Sequence, residues 1–211
     1  MNSQDEIIEI YNDDYSLAGT MPRKQAQEES RWVRVSHLWI INPITDTVLF
    51  QKRSNRKEFF PGNLDVTAAG HYAVGKKFET GVEEMSNELG VAIFFNDLIS
   101  LGIRHNIIPT LDLTVRQFCH VFFLKSDRNT SDFTLNSETS EGLMEISIEK
   151  GLSLLSGESS SIDSTLFDVN SKNKRTIPIS KNDFLPRVDS YYYKVFILAK
   201  SFLVAEKHLV I

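Results

Sequence analysis

Apolar and polar positions along the chain alternate between two periods, one close to two residues and one close to three and a half. Residues 6–10 (EIIEI) and 15–21 (YSLAGTM) flank Asn12-Asp13-Asp14 and read as a small hairpin with a polar turn. Residues 22–31 are polar and read as a loop or short helix. Val33 to Ile41 is strongly apolar and β-prone, the pattern of a central strand, and Thr47 to Gln51 returns as a second strand after the Asn42-Pro43 turn. Asp65 to Ala69 is a short strand. Phe78, Val82, Met85 and Leu89 then recur on one helix face, and Gly90 supplies a C-terminal stop.

Further strands are expected over Asp97 to Asn106, over Thr114 to Lys125 with Val115, Phe118, Val121 and Phe123 inward, and over Leu143 to Ile148. Residues 126–142 read as polar loop, and Glu149 to Leu155 as a short helix. Residues 156–182, rich in Ser, Asp, Asn and Lys, read as a poorly structured excursion. From Asp183 onward, Leu185, Val188, Tyr192, Val195, Ala199, Phe202 and Leu203 mark one face of the longest helix.

Hairpin, strands, helix, strands, helix, helix is the order of an α/β (α+β) fold with a mixed sheet between helices. The 211 residues suit one domain, with an N-terminal hairpin arm (1–30), a core (31–155) and a polar loop plus long C-terminal helix (156–211). A net charge of −5 argues against a nucleic-acid footprint but leaves room for a local basic pocket and a small phosphorylated substrate. The single cysteine, Cys119, excludes an internal disulfide and favours a reducing compartment. The acidic N-terminus lacks the apolar core of a signal peptide, and no apolar run is long enough to span a membrane. The expectation is a cytoplasmic protein with no membrane partner; a homodimer is compatible with it.

The chemistry concentrates in Val66 to Val91, where an apolar run ends in Ala68-Ala69-Gly70, a loop carries Gly75, and the helix carries Glu84 and Glu88 four residues apart. Hard oxygen ligands then sit beside a loop that phosphate can approach, as Mg²⁺-assisted chemistry on a diphosphate requires. On spacing alone, a solvated helix face explains the same pair.

The stretch resembles a Nudix box, G-x5-E-x7-R-E-U-x-E-E-x-G-U with U aliphatic. Counting back from Gly90, Glu88 falls on the last glutamate, Met85 on U and Glu84 on the glutamate after the arginine. Gly70 falls on the opening glycine with a one-residue deletion between Lys76 and Glu83. The box is degenerate: Lys76 replaces the loop glutamate, Glu83 the arginine and Asn87 the middle helix glutamate. Outside it, the early hairpin, Gln51-Lys52-Arg53-Ser54, Phe60-Pro61-Gly62 and Ala68-Ala69-Gly70-His71 resemble the subgroup related to isopentenyl-diphosphate isomerase.

The resemblance implies an α/β/α sandwich. It also implies a hydrolase of a nucleoside diphosphate-linked or similar diphosphate, with Mg²⁺ as cofactor and Mn²⁺ as the alternative ion. Glu84, Glu88 and Asn87 become the metal set, and Glu138 a further carboxylate acting as base. Arg53, Lys76 and Arg116 become substrate-binding residues, Arg53 because a guanidinium fork matches phosphate oxygens. Each has an ordinary alternative: Lys76 and Glu138 as solvated loop residues, Lys52, Arg53, Arg56 and Lys57 as a plain basic loop. Trp39 and Cys119 read as core. A catalytically weak binding protein is the second functional reading. Isomerisation ranks last, because Ala68 and Ala69 stand where isomerases carry a catalytic cysteine.

Overall fold

The computed structural model describes residues 6–72, 74–75, 78–110 and 113–211, without the side chains of Phe78 and Glu79. An antiparallel hairpin, β1 (Ile7–Tyr11) and β2 (Leu17–Pro22), leads into a six-residue helix, α1 (Arg23–Glu28). There follow β3 (Trp32–Asn42), β4 (Thr47–Arg53), β5 (Leu64–Asp65), β6 (Ala68–His71) and the helix α2 (Phe78–Leu89). The chain continues through β7 (Leu98–Pro109), β8 (Thr114–Lys125), β9 (Ser140–Ser147) and α3 (Ile148–Ser156). It closes with β10 (Ile162–Asp168), β11 (Lys174–Ile179) and α4 (Tyr191–Leu203).

β3 organises the sheet, as its apolar run suggests. β8 runs parallel along one edge from Trp32 to Ile41. The other edge is shared in succession by three antiparallel strands: β1 at Trp32 and Val33, β6 from Val35 to Leu38, and β4 from Ile40 to Asn42. β4 therefore diverges from β3 where β6 enters, leaving a fork. The Thr67 hydroxyl spans it, donating to the Leu49 carbonyl and accepting from the Ile40 amide at 3.1 Å.

Side chains alternate across β3 and β4. Leu38, Ile40 and Leu49 pack with Val82, Met85 and Leu89 of α2. Trp39, Ile41, Val48 and Phe50 pack with Leu154 of α3 and with Tyr191, Val195 and Phe196 of α4. A mixed sheet lies between helices on both faces, as expected. Burying each large apolar side chain of α2 contributes on the order of 2 kcal/mol towards holding that helix on the sheet.

Three expectations need correction. The 156–182 excursion is not a poorly structured loop: it contains the β10–β11 hairpin, which extends the sheet beyond β9. The last helix starts at Tyr191 rather than near Asp183, because Pro186 cannot sit inside a helix, and Leu185 instead donates its amide to the Leu64 carbonyl. Asp65 to Ala69 is two short strands on different partners, β5 on β4 and β6 on β3.

Candidate active site

Two glycines set the distance between α2 and β6. A Cβ on Gly70 would collide with the carbonyl oxygen of Gly81, and a Cβ on Gly81 would lie 2.8 Å from the Tyr72 ring. The helix backbone thus rests against the strand backbone. Glutamates on that side of α2 can then reach the strand edge that β3 leaves unpaired.

Both do so. The His71 amide donates to Glu84 Oε2 at 2.5 Å, and the Ala69 amide donates to Glu88 Oε2 at 3.0 Å. Gln51 Nε2, across the fork on β4, donates to Glu88 Oε1 at 2.9 Å. Residues 69 and 71 point their amides the same way along the strand, so the pair of carboxylates is held in a row. Burial raises both carboxyls above the usual carboxylate range, against the pull of these donors. The charge of Lys57 also acts on Glu88, and that of Arg23 on Glu84. Two aligned carboxylates that resist ionisation present a site that a cation stabilises.

Asn87 and Glu83 lie exposed on α2. Lys76 lies outside the described residues. Among the described residues, no group of three His, Cys, Asp or Glu is placed to hold an ion. Arg53 is not an open phosphate fork: its Nε donates to the Phe60 carbonyl at 3.0 Å, one terminal nitrogen donates to Phe59 at 2.7 Å, and Asp65 lies 3.8 Å away. It braces the loop after β4, and within that basic stretch it is Lys57 whose charge reaches Glu88. Glu138 pairs with Arg56 at an exposed position. Arg116 lies near Asp13 and over the Trp32 ring. Trp39 and Cys119 are fully buried, and burial pushes the Cys119 thiol up to about 12, so it is core, not a nucleophile.

Sequence reasoning gave no site role to Gln51, which it placed at the end of a strand and in the Gln51-Lys52-Arg53-Ser54 run, and it missed a polar cluster behind β6. There Arg187 donates to Asp65 at 2.5 Å, to Asn106 at 2.9 Å and to Tyr192 at 3.2 Å. Arg104 is paired with Asp189, and donates to Asn106 at 2.7 Å. Buried His37 lies between the Tyr191 hydroxyl and the Cys119 sulfur. A pocket of about 220 Å³ opens above this cluster, walled by Ala69, His71, Arg53, Phe59, Phe60 and Leu185.

No family model matches the chain. It is 29% identical over 197 residues to an uncharacterised Nudix hydrolase of Clostridium acetobutylicum, covering 90% of this chain and 94% of that one. It is 33% identical to Nudix hydrolase 3 of Arabidopsis thaliana over 73 residues, 34% of this chain and 10% of that protein. In fold it is similar to a protein of Deinococcus radiodurans whose crystal structure is known, with a TM-score of 0.55 and 22% identity over 72% of this chain and 90% of that chain. The likeness to the Nudix hydrolase superfamily, read from the residues, is borne out by the named relatives, and the sandwich by the shared fold.

Proposed function

We propose that this Nudix-superfamily chain is a divalent-cation-dependent hydrolase of a diphosphate that joins a nucleoside-like group to another group. The observation that carries the reading is the Glu84–Glu88 pair, aligned on the open edge of β6 by the His71 and Ala69 amides. Hard carboxylate oxygens on one face, with burial opposing their charge, fit a small divalent cation completed by water and phosphate oxygens. Mg²⁺ bound there would neutralise diphosphate oxygens and acidify a water. The chain's own residues do the rest. The β6 amides and Gln51 fix the carboxylates, Lys57 adds positive charge beside Glu88, and the pocket over Ala69 takes one side of the substrate.

The test is a panel of nucleoside diphosphate-linked compounds with and without Mg²⁺, following phosphate-ester products. Metal-dependent cleavage of any member supports the reading; binding without cleavage at any metal concentration overturns it. That second outcome would fit a binding protein, a reading favoured by the exposed Asn87 and by the lack of a third acidic ligand among the described residues. Isomerisation is disfavoured: Ala68 is sealed in the core under α2, Ala69 lines the pocket, and neither side chain can move a proton.

A further inference from the structure

A second cavity, of about 160 Å³, lies on the other side of His71, between the N-terminal arm and β8. Its floor is apolar, with Ile8, Ala26, Val33 and Val115. Three arginines converge on it: Arg23 from α1, Arg31 after α1, and Arg116 from β8. Their charges are incompletely answered. Arg31 makes no side-chain hydrogen bond or ion pair among the described residues. Arg23 pairs through one terminal nitrogen with Glu6 at 2.5 Å, and its buried Nε has no hydrogen-bond partner among the described residues. Arg116 reaches Asp13 only at 3.9 Å, at an exposed position. Three guanidinium groups around a small concave space cost repulsion unless an anion enters it.

The cavity adjoins the proposed catalytic side. It shares His71, Val115 and Gln117 with the pocket above Ala69, and His71 is the residue whose amide holds Glu84. A substrate whose diphosphate lies at the glutamate pair can therefore place a further group here. We infer that the cavity between α1 and β8 is a subsite for a phosphomonoester carried by the substrate away from its scissile diphosphate, gripped by Arg23, Arg31 and Arg116. The inference rests on the diphosphatase reading and narrows it to doubly phosphorylated substrates.

Two compound pairs isolate the added group: NAD with NADP, and dephospho-coenzyme A with coenzyme A, which differ by one phosphomonoester. The expected result is a higher kcat/KM for the phosphorylated member of at least one pair, carried by KM. That ratio falls about tenfold in Arg31→Gln and again in Arg116→Gln, as expected for loss of a charge-assisted hydrogen bond. Lys24→Gln, which removes an exposed charge on the outer side of α1, leaves the ratio unchanged. Thermal shift with adenosine 2′,5′-bisphosphate and with adenosine 3′,5′-bisphosphate, each against AMP, reads the subsite without turnover, so a chain that hydrolyses nothing still tests it. Equal kcat/KM within both pairs overturns the subsite while leaving the diphosphatase reading standing. In a chain without turnover, equal thermal shifts overturn it.

Discussion

Gln51 and Glu88, on different sides of the fork in the sheet, are joined by a 2.9 Å hydrogen bond from the amide nitrogen to the carboxylate. The contact depends on β4 leaving β3 where β6 enters, so fold topology, not helix spacing, decides how the carboxylate is held: each Glu88 oxygen accepts one hydrogen bond and keeps a second lone pair for a cation. Gln51→Leu keeps size and removes the donor. Metal-dependent turnover should fall about tenfold, mostly through weaker Mg²⁺ activation, as when a ligand loses the partner that orients it. Titration of rate against Mg²⁺ checks this; an unchanged Mg²⁺ midpoint would show that Gln51 only fills space.

Glu84→Gln and Glu88→Gln should each lower metal-dependent turnover by roughly 100-fold or more, because an amide offers the ion no charge. The fold should persist. Glutamine keeps a carbonyl to accept from the His71 or Ala69 amide, and burial already disfavours the charge it removes. Urea midpoints beside initial rates separate the two effects. Full turnover in both variants sinks the metal-pair assignment.

Gly70→Ala tests the close approach itself. The added methyl meets the Gly81 carbonyl, so α2 must move off β6. A loss of roughly 1–3 kcal/mol is expected, and activity should fall further than stability does. If activity survives in a variant folded at the assay temperature, the contact is not what aligns the glutamates.

The histidines give the pH dependence. His37 is 3% exposed, and burial, with the Arg187 and Arg104 charges, holds its ring well below the usual histidine range. His120, against the Tyr15 hydroxyl, is held by burial at about 4. Both bind a proton more readily unfolded than folded. Stability is therefore complete above about pH 6.5 and declines as pH falls through the unfolded value, by up to about 1.4 kcal/mol per histidine per pH unit. Glu84 and Glu88, raised by burial, slope the other way, so the measurement is the difference in slope between parent and His37→Asn. The variant's urea midpoint should vary less with acidity; parallel slopes rule out His37 as a contributor.

Much of this was legible because the local and global patterns agree. The 3.6-residue spacing of Val82, Met85 and Leu89 marks a face that is buried, and the apolar run of β3 marks a strand covered on both sides. The β10–β11 hairpin was hidden for a physical reason. On β10 the inward positions are Ile162, Ser164 and Leu166, so a buried serine interrupts the apolar alternation, and β11 is an exposed edge strand containing Pro178. The buried cluster was illegible because its partners are remote: Arg187 finds Asp65 122 positions away and Asn106 81 away. Glu84 and Glu88 were readable from spacing and resemblance; Gln51 was not, since nothing local tells a strand glutamine that aims at a carboxylate from one that faces water.

Asn87 makes the sharpest test of the site, because it stands where the Nudix box that this stretch resembles carries a carboxylate. It is exposed on α2, three residues after Glu84 and next to Glu88, whereas those two curl onto β6. A glutamate there is long enough to swing towards the i−3 neighbour, and a hard dication gains most from an added anionic oxygen. Without metal, Asn87→Glu should melt slightly lower, because a third negative charge joins two carboxyls that burial already raises. With Mg²⁺ its melting temperature should climb more steeply than the parent's, since an ion that binds only the folded state stabilises it by mass action. The difference should be larger at low ionic strength, where screening of the partly exposed group is weaker. Melting curves across a Mg²⁺ series, with hydrolysis measured in parallel, decide it. Parallel curves for the two proteins would mean that position 87 looks away from the ion. Any metal would then be held by Glu84 and Glu88 without help from the rest of α2.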